Sequence, residues 1–236
     1  MRLLLLLLVL AAAEDLTPRE GSGWAGFATG TWVRLKTTRV QTGRMLAPTI
    51  TKMTLAKADA KTLSLSIETE NALGVAGEVQ QSTVPASGEA GPGEKGKEEG
   101  SGEEEVRVAG EGVACDRVRV TVTGPTAKRV ITRWIARDPK VVVKRVTVTT
   151  DLEGKETGRE TILLQSLVPE ERTVGDRRVR CVKYATERKD SGYEFRGTAY
   201  LSREVPGGAV FSEDEISKDG AALLTQRVEV LDFGSK

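Results

Sequence analysis

The sequence predicts an all-β protein: a long antiparallel meander sheet built from two or three four-stranded repeats, curved into a half-barrel or open barrel. Three observations carry this expectation. Apolar residues alternate with polar ones at a period of two, short turn words separate the alternating runs, and one strand-and-corner pattern occurs twice, from Cys115 to Pro139 and again from Cys181 to Pro206. Alternation at period two means a strand with one buried and one wet face, which favours antiparallel pairing. Repeated units with one apolar face each must share a core with their neighbours, so a curved continuous sheet is the expected result.

The chain opens with "MRLLLLLLVLAAAED", in which Arg2 precedes an apolar run from Leu3 to Leu10 and three alanines. A basic start, a short apolar core and small residues form the layout of a secretory signal, expected over residues 1–13 with cleavage after Ala13. The run is too short to span a bilayer, which takes about 20 apolar residues. No later segment reads as membrane-spanning, so the expected location is periplasmic or secreted. After the leader, Pro18 in "TPREGSGWAGF" suits the first turn of a short helix, although two glycines weaken it.

An N-terminal β unit is expected over residues 14–81, containing "WVRLK" and "KTLSLSIET", where Leu63, Leu65 and Ile67 alternate with Thr and Ser. Residues 82–105, "STVPASGEAGPGEKGKEEGSGEEE", hold almost nothing apolar. Such a segment cannot bury enough surface to offset its ordering entropy, and the expectation is a disordered acidic insertion. Two β repeats follow, over residues 106–168 and 169–236. Val118, Val120 and Val122 alternate in the first, as do Val146 and Val148; Val228 and Val230 do so in the second. The turn words are "TGPTA", "ARDPK", "LEGKETG", "KDSG", "VPGG" and "SKDG".

The repeat is read from two cysteines and two corners. Cys115 precedes Trp134 of "WIARDPK" by the same interval that separates Cys181 from Tyr200 of "YLSREVPGG". Aligning the cysteines therefore aligns both corners. A third copy would place Leu35 of "WVRLK" at the cysteine position, with Leu55 following as Ile135 and Leu201 follow theirs. The Arg-acid-Pro corners themselves are expected as hairpin corners rather than a recognition rim, since a turn explains every residue type present.

Composition narrows the chemistry. The chain has no histidine, so Ser-His-Asp and Cys-His dyads, His-ligated zinc and a base tuned near neutral pH by its ordinary pKa are all removed. Charge is balanced at +1 and aromatics are 4%, which gives neither a basic footprint nor stacking platforms for nucleic acid. The acid groups "SEDE" (Glu213, Asp214, Glu215) and "PEER" (Glu170, Glu171) look solvated rather than paired in a cleft. No catalytic, cofactor or metal residue is assigned, and no enzyme is expected. Cys115 and Cys181 are either a disulfide, given an oxidising compartment, or two buried free thiols. Trp24, Phe27, Trp32, Trp134 and Tyr200 either line an apolar ligand cavity or belong to the core; Trp24 and Phe27 are placed to plug the open side of a curved sheet.

The leader, the "GTWV" opening and the two aromatic-to-Pro corners together resemble exported bacterial β-proteins of no assigned function. More distantly, a long antiparallel sheet behind a short aromatic segment is similar to the periplasmic lipoprotein carriers of the Lol system, whose half-barrels hold acyl chains. The resemblances imply an exported interaction or structural protein with a protein or envelope partner, or alternatively a carrier of a hydrophobic, lipid-like ligand in the concave face.

Overall fold

A computed structural model describes residues 23–41, 43–70, 75–86 and 94–235. The signal sequence expected over residues 1–13 lies outside them. The described chain is all β, with fifteen strands: β1 Trp32–Gln41, β2 Arg44–Met45, β3 Thr49–Ala58, β4 Thr62–Glu70, β5 Gln80–Pro85, β6 Lys95–Val108, β7 Glu111–Thr123, β8 Lys128–Arg137, β9 Lys140–Thr150, β10 Glu156–Leu164, β11 Glu170–Val174, β12 Arg177–Asp190, β13 Tyr193–Leu201, β14 Ala209–Lys218 and β15 Ala221–Gly234. Of the segment weighed as a short helix, the described part, Gly23–Phe27, is a turn without helix. Several hairpins close through the turn chemistry the sequence shows. Ser191-Gly192 and Asp219-Gly220 both take positive φ, as the tight turns matching strand twist require.

All pairing is antiparallel, in the order β5-β4-β3-β1-β15-β14-β13-β12-β10-β9-β8-β7-β6, with β11 added to β12 and β2 to β1. The N-terminal unit therefore docks on the C-terminal strand, and β5 and β6, neighbours in sequence, form opposite edges. Thirteen strands laid flat would separate those edges by about 58 Å, and a half-cylinder would still leave about 37 Å between them. Residues 86–94 join the edges, and a chain of that length reaches at most about 35 Å. The sheet therefore cannot lie flat and must curl, as the expected half-barrel or open barrel does.

Two packed clusters hold the curl. One gathers Val106, Val108, Cys115, Trp134, Val143, Leu164 and Tyr184; the other gathers Val174, Val179, Cys181, Tyr200, Val210 and Val230 with Trp24, Val33, Leu55, Leu63 and Leu65. Val108, Cys115, Trp134 and Leu164 of the first are matched, at one constant sequence offset, by Val174, Cys181, Tyr200 and Val230 of the second. Strand register keeps the same offset. Glu104 is opposite Cys115 as Glu170 is opposite Cys181, and the ladder shifts between Trp134 and Ile135 as it does between Tyr200 and Leu201.

Each cluster is closed by the strand that follows in the sheet. Tyr184 of β12 stands opposite Leu164, is fully buried, and donates its hydroxyl to the Val142 carbonyl at 2.9 Å. Leu35 of β1 stands opposite Val230 in the same relation. Leu35 thus takes the place of Tyr184 rather than that of a cysteine. It pairs with Thr51, whereas equivalence with Cys115, which pairs with Ala136, would set it against Ala56. The reason is packing, because Val33 and Leu35 are needed in the C-terminal cluster and draw β1 into that register.

The corner at "YLSREVPGG" completes the second cluster. Val205 and Pro206 are fully buried, Trp24 is 2% exposed, and the Gly207 N–H donates to the Gly23 carbonyl at 3.2 Å. Gly207, at φ +83°, leaves room for the Trp24 indole beside it; a Cβ there would stand 3.3 Å from Nε1. Trp24 is buried in this cluster, with Phe27 packed against it. The matching corner is surface chemistry, with Arg137 clamped by Asp116 at 2.6 Å and Glu103 at 2.5 Å.

One expectation needs correction. The acidic tract is not a disordered insertion where it is described, because Ser82–Pro85 belong to β5 and Lys95–Glu105 to β6. Composition alone missed the partner strand: β7 supplies backbone hydrogen bonds, and its Arg117 and Arg119 pair with Glu104 and Glu99. Of the two readings of the cysteines, the disulfide is not formed: both thiols are free and buried, in different clusters. Strands β7 and β12 are four spacings apart in the sheet, about 19 Å along it, whereas a disulfide holds its Cα atoms within about 7 Å.

Trp24→Ala is expected to destabilise the fold by about 3–5 kcal/mol, and Tyr184→Phe by about 1–2 kcal/mol because it orphans a buried carbonyl; chemical denaturation measures both. Burial pushes the Cys181 thiol up to about 11. Thiol titration should accordingly find neither cysteine reactive in the native protein and both reactive in denaturant, with no change of mass on reduction.

Candidate functional site

On β13 and β14, Phe195, Gly197, Ala199, Ser212, Asp214 and Ile216 share one face and are all half-buried, whereas on the other face Arg196, Glu213 and Glu215 are exposed. A curved sheet shields its inner face, so the first set marks the concave side. There a cleft of about 230 Å³ runs across β10, β12, β13, β14 and β15.

The cleft is built from cross-strand rows. Glu160, Arg188, Phe195 and Ile216 stand opposite one another in turn, and beside them run Thr186, Gly197, Asp214 and Gln226. Asp214 is its centre. Its carboxylate accepts a hydrogen bond from the Thr186 hydroxyl at 3.1 Å, and burial raises its pKa above the ordinary carboxylate value against the smaller, opposing effects of Thr186 and the Arg188 charge. Gly197 makes the geometry possible, because a Cβ there would collide with the Glu213 carbonyl oxygen and stand against Asp214 Oδ1.

The surrounding cations are committed elsewhere. Arg188 lies with its guanidinium 3.8 Å over the Phe195 ring, Arg145 pairs with Glu160 at 2.7 Å, and Arg39 donates to the Gln226 side-chain oxygen at 2.9 Å. The arrangement offers one half-buried carboxylate with spare acceptor capacity beside a small apolar flank of Ala199 and Ile216. A second, rim-side cleft at the β12–β13 tip is bordered by pairs closed on themselves, Arg159 with Glu156 and Lys189 with Glu194.

The aromatic residues weighed as cavity lining do not surround this cleft. Tyr200 follows Ala199 on β13 and faces the other side, under Arg172 at 3.4 Å and edge-on to Phe211. Trp134 shares its cross-strand row with Arg117 and Lys144, the latter 4.9 Å over its ring. Trp24 and Phe27 belong to the core, and Trp32 packs beside Gly234 with Lys52 over its ring. Large aromatics with so much surface to bury go to the clusters that hold the curl, which leaves the cleft to polar residues. Sequence reasoning places Asp214 in a solvated acid run. The available signal was its period-two alternation with exposed Glu213 and Glu215, opposite a glycine on β13.

No protein-family profile matches the chain, and none of the curated proteins compared with it matches. Two solved structures align over most of its length. One is a Bacteroides fragilis chain described as a "putative exported protein with YmcC-like fold", at 8% identity and a TM-score of 0.39, covering 94% of this chain and 100% of that one. The other, a "putative lipoprotein" from Parabacteroides distasonis, aligns at 8% identity and a TM-score of 0.38 over the same shares.

Because the folded pKa of Asp214 is raised, its protonated form favours folding, and that contribution fades as pH rises through the folded midpoint. Asp214→Asn removes the buried charge and keeps the acceptor for Thr186. Its melting temperature should exceed that of the wild type at neutral pH, with the gain shrinking as pH falls through the Asp214 midpoint; thermal unfolding across pH measures it.

Proposed function

We propose that the chain is an exported, non-catalytic binding protein, periplasmic or secreted, that engages a protein or envelope partner through the concave side of its sheet. The basic, apolar and small-residue leader supports the location. One observation carries the role: of the two half-buried carboxylates in the concave cleft, Glu160 is held by Arg145, and Asp214 has no salt bridge among the described residues. Glycosidase-type hydrolysis takes two carboxylates that face each other across a cleft, and here the second acid is tied up. A lone desolvated carboxylate with fixed neighbours is instead a recognition element.

The carrier reading, a lipid-like ligand in the concave face, draws its support from the curvature of the sheet. The lining weighs against it. The charged and polar groups of Glu160, Arg188, Asp214 and Gln226 would lie against acyl chain, and Asp214, the one without an ion-pair or side-chain amide partner, would cost about 1–3 kcal/mol if buried unpaired.

Two measurements test the proposal. Secretory expression should yield a mature chain beginning at Glu14, read by intact mass. Mass spectrometry of organic extracts of the native protein should find no stoichiometric apolar molecule, and a lipid recovered at one per chain would establish the carrier instead.

A further inference from the structure

We infer that the concave cleft around Asp214 binds a cationic nitrogen group, an ammonium or guanidinium borne on a short aliphatic stem. This deepens the binding-protein reading and rests on it. A carboxylate accepts about four hydrogen bonds, and among the described residues Asp214 has one, from the Thr186 hydroxyl, and no salt bridge. Its remaining acceptor directions are open to the cleft. The nearby cations do not fill them: Arg188 is stacked on Phe195, Arg145 is paired with Glu160, and Arg39 is bonded to Gln226.

The carboxylate is also positioned rather than incidental. Gly197 omits the one side chain that would displace it, and Thr186 fixes its rotation from the neighbouring β12. Holding it there disfavours its charged form, and an incoming cation reverses that imbalance through a charge-assisted hydrogen bond. Ala199 and Ile216 flank the carboxylate with apolar surface, suited to the methylene stem behind such a group. A cleft of about 230 Å³ admits one side-chain-sized head and no more.

Two sources share this chemistry, a free polyamine and a Lys or Arg side chain of a partner. The test titrates the folded protein with spermidine and, separately, with end-blocked Gly-Lys-Gly and Gly-Arg-Gly peptides, following backbone amide resonances. Saturable shifts at Thr186, Gly197 and Asp214 are expected, with affinity reduced at least about tenfold by Asp214→Asn. Glu213→Gln and Glu215→Gln, on the convex side, should leave affinity unchanged and separate local recognition from general attraction of cations to an acidic strand. Saturation by spermidine alone supports a free polyamine, and saturation by either peptide supports a protein side chain.

The inference is overturned if no probe shifts these amides at about 10 mM, if Asp214→Asn binds as well as the wild type, or if the convex substitutions weaken binding equally. Unaltered circular dichroism of Asp214→Asn separates lost recognition from lost fold. A stoichiometric lipid in the organic extract would overturn the binding-protein reading itself, whereas silent probes with a clean extract overturn the cationic assignment alone.

Discussion

The architecture depends on a covalent constraint: the two edges of a thirteen-strand sheet are joined by residues 86–94. No flat sheet satisfies that reach, so curvature is imposed before any side chain is considered. Side chains then decide how the curl is filled. Two clusters take most of the large buried residues, and the cleft of β10 and β12–β15 is lined by polar residues together with Phe195, Ala199 and Ile216.

Packing passes from unit to unit in one direction. Strands β6–β10 form a cluster that β12 closes with Tyr184, and β11–β15 form an equivalent cluster that β1 closes with Leu35. Neither group of strands completes its own core. This also explains the separation of the two thiols, since equivalent positions in successive units face different cores. Strand β6 forms one edge of the sheet and is dense in charge, with Lys95, Lys97 and Arg107 beside Glu98, Glu99, Glu103, Glu104 and Glu105, a composition that blunts edge-to-edge pairing.

Much of this was legible in the residues. The alternation at Leu63, Leu65 and Ile67 and at Val118, Val120 and Val122 places strands where they occur, and the echo of Cys115 and Trp134 in Cys181 and Tyr200 anticipates the shared register of β6–β10 and β11–β15. The readings that failed did so where a long-range partner overrode local composition. "KGKEEGSGEEE" has no apolar face, yet it pairs with β7 because backbone hydrogen bonds and Arg117 and Arg119 meet it there. Matching short words sets Leu35 on Cys181 rather than on its structural equivalent, Tyr184, because the packing demand of Val33 and Leu35 comes from β15, far off in sequence. Asp214 was hidden for a related reason. Its setting depends on Thr186, which donates to it, and on Gly197, which leaves it room, both on other strands that no short window of sequence contains.

The pairing of β1 with β15 joins Trp32 to Gly234, nearly the full length of the chain. A chain made or translocated from its N-terminus presents β1 first and its partner last. Contacts so distant in sequence are slow to form, and until they do Val33, Leu35 and Leu55 have no core to enter. The N-terminal unit must wait, with apolar strands uncovered, until β15 emerges. The molecule is therefore most exposed to aggregation and proteolysis during its own synthesis, and loss of even the last strand would leave the first one without a home.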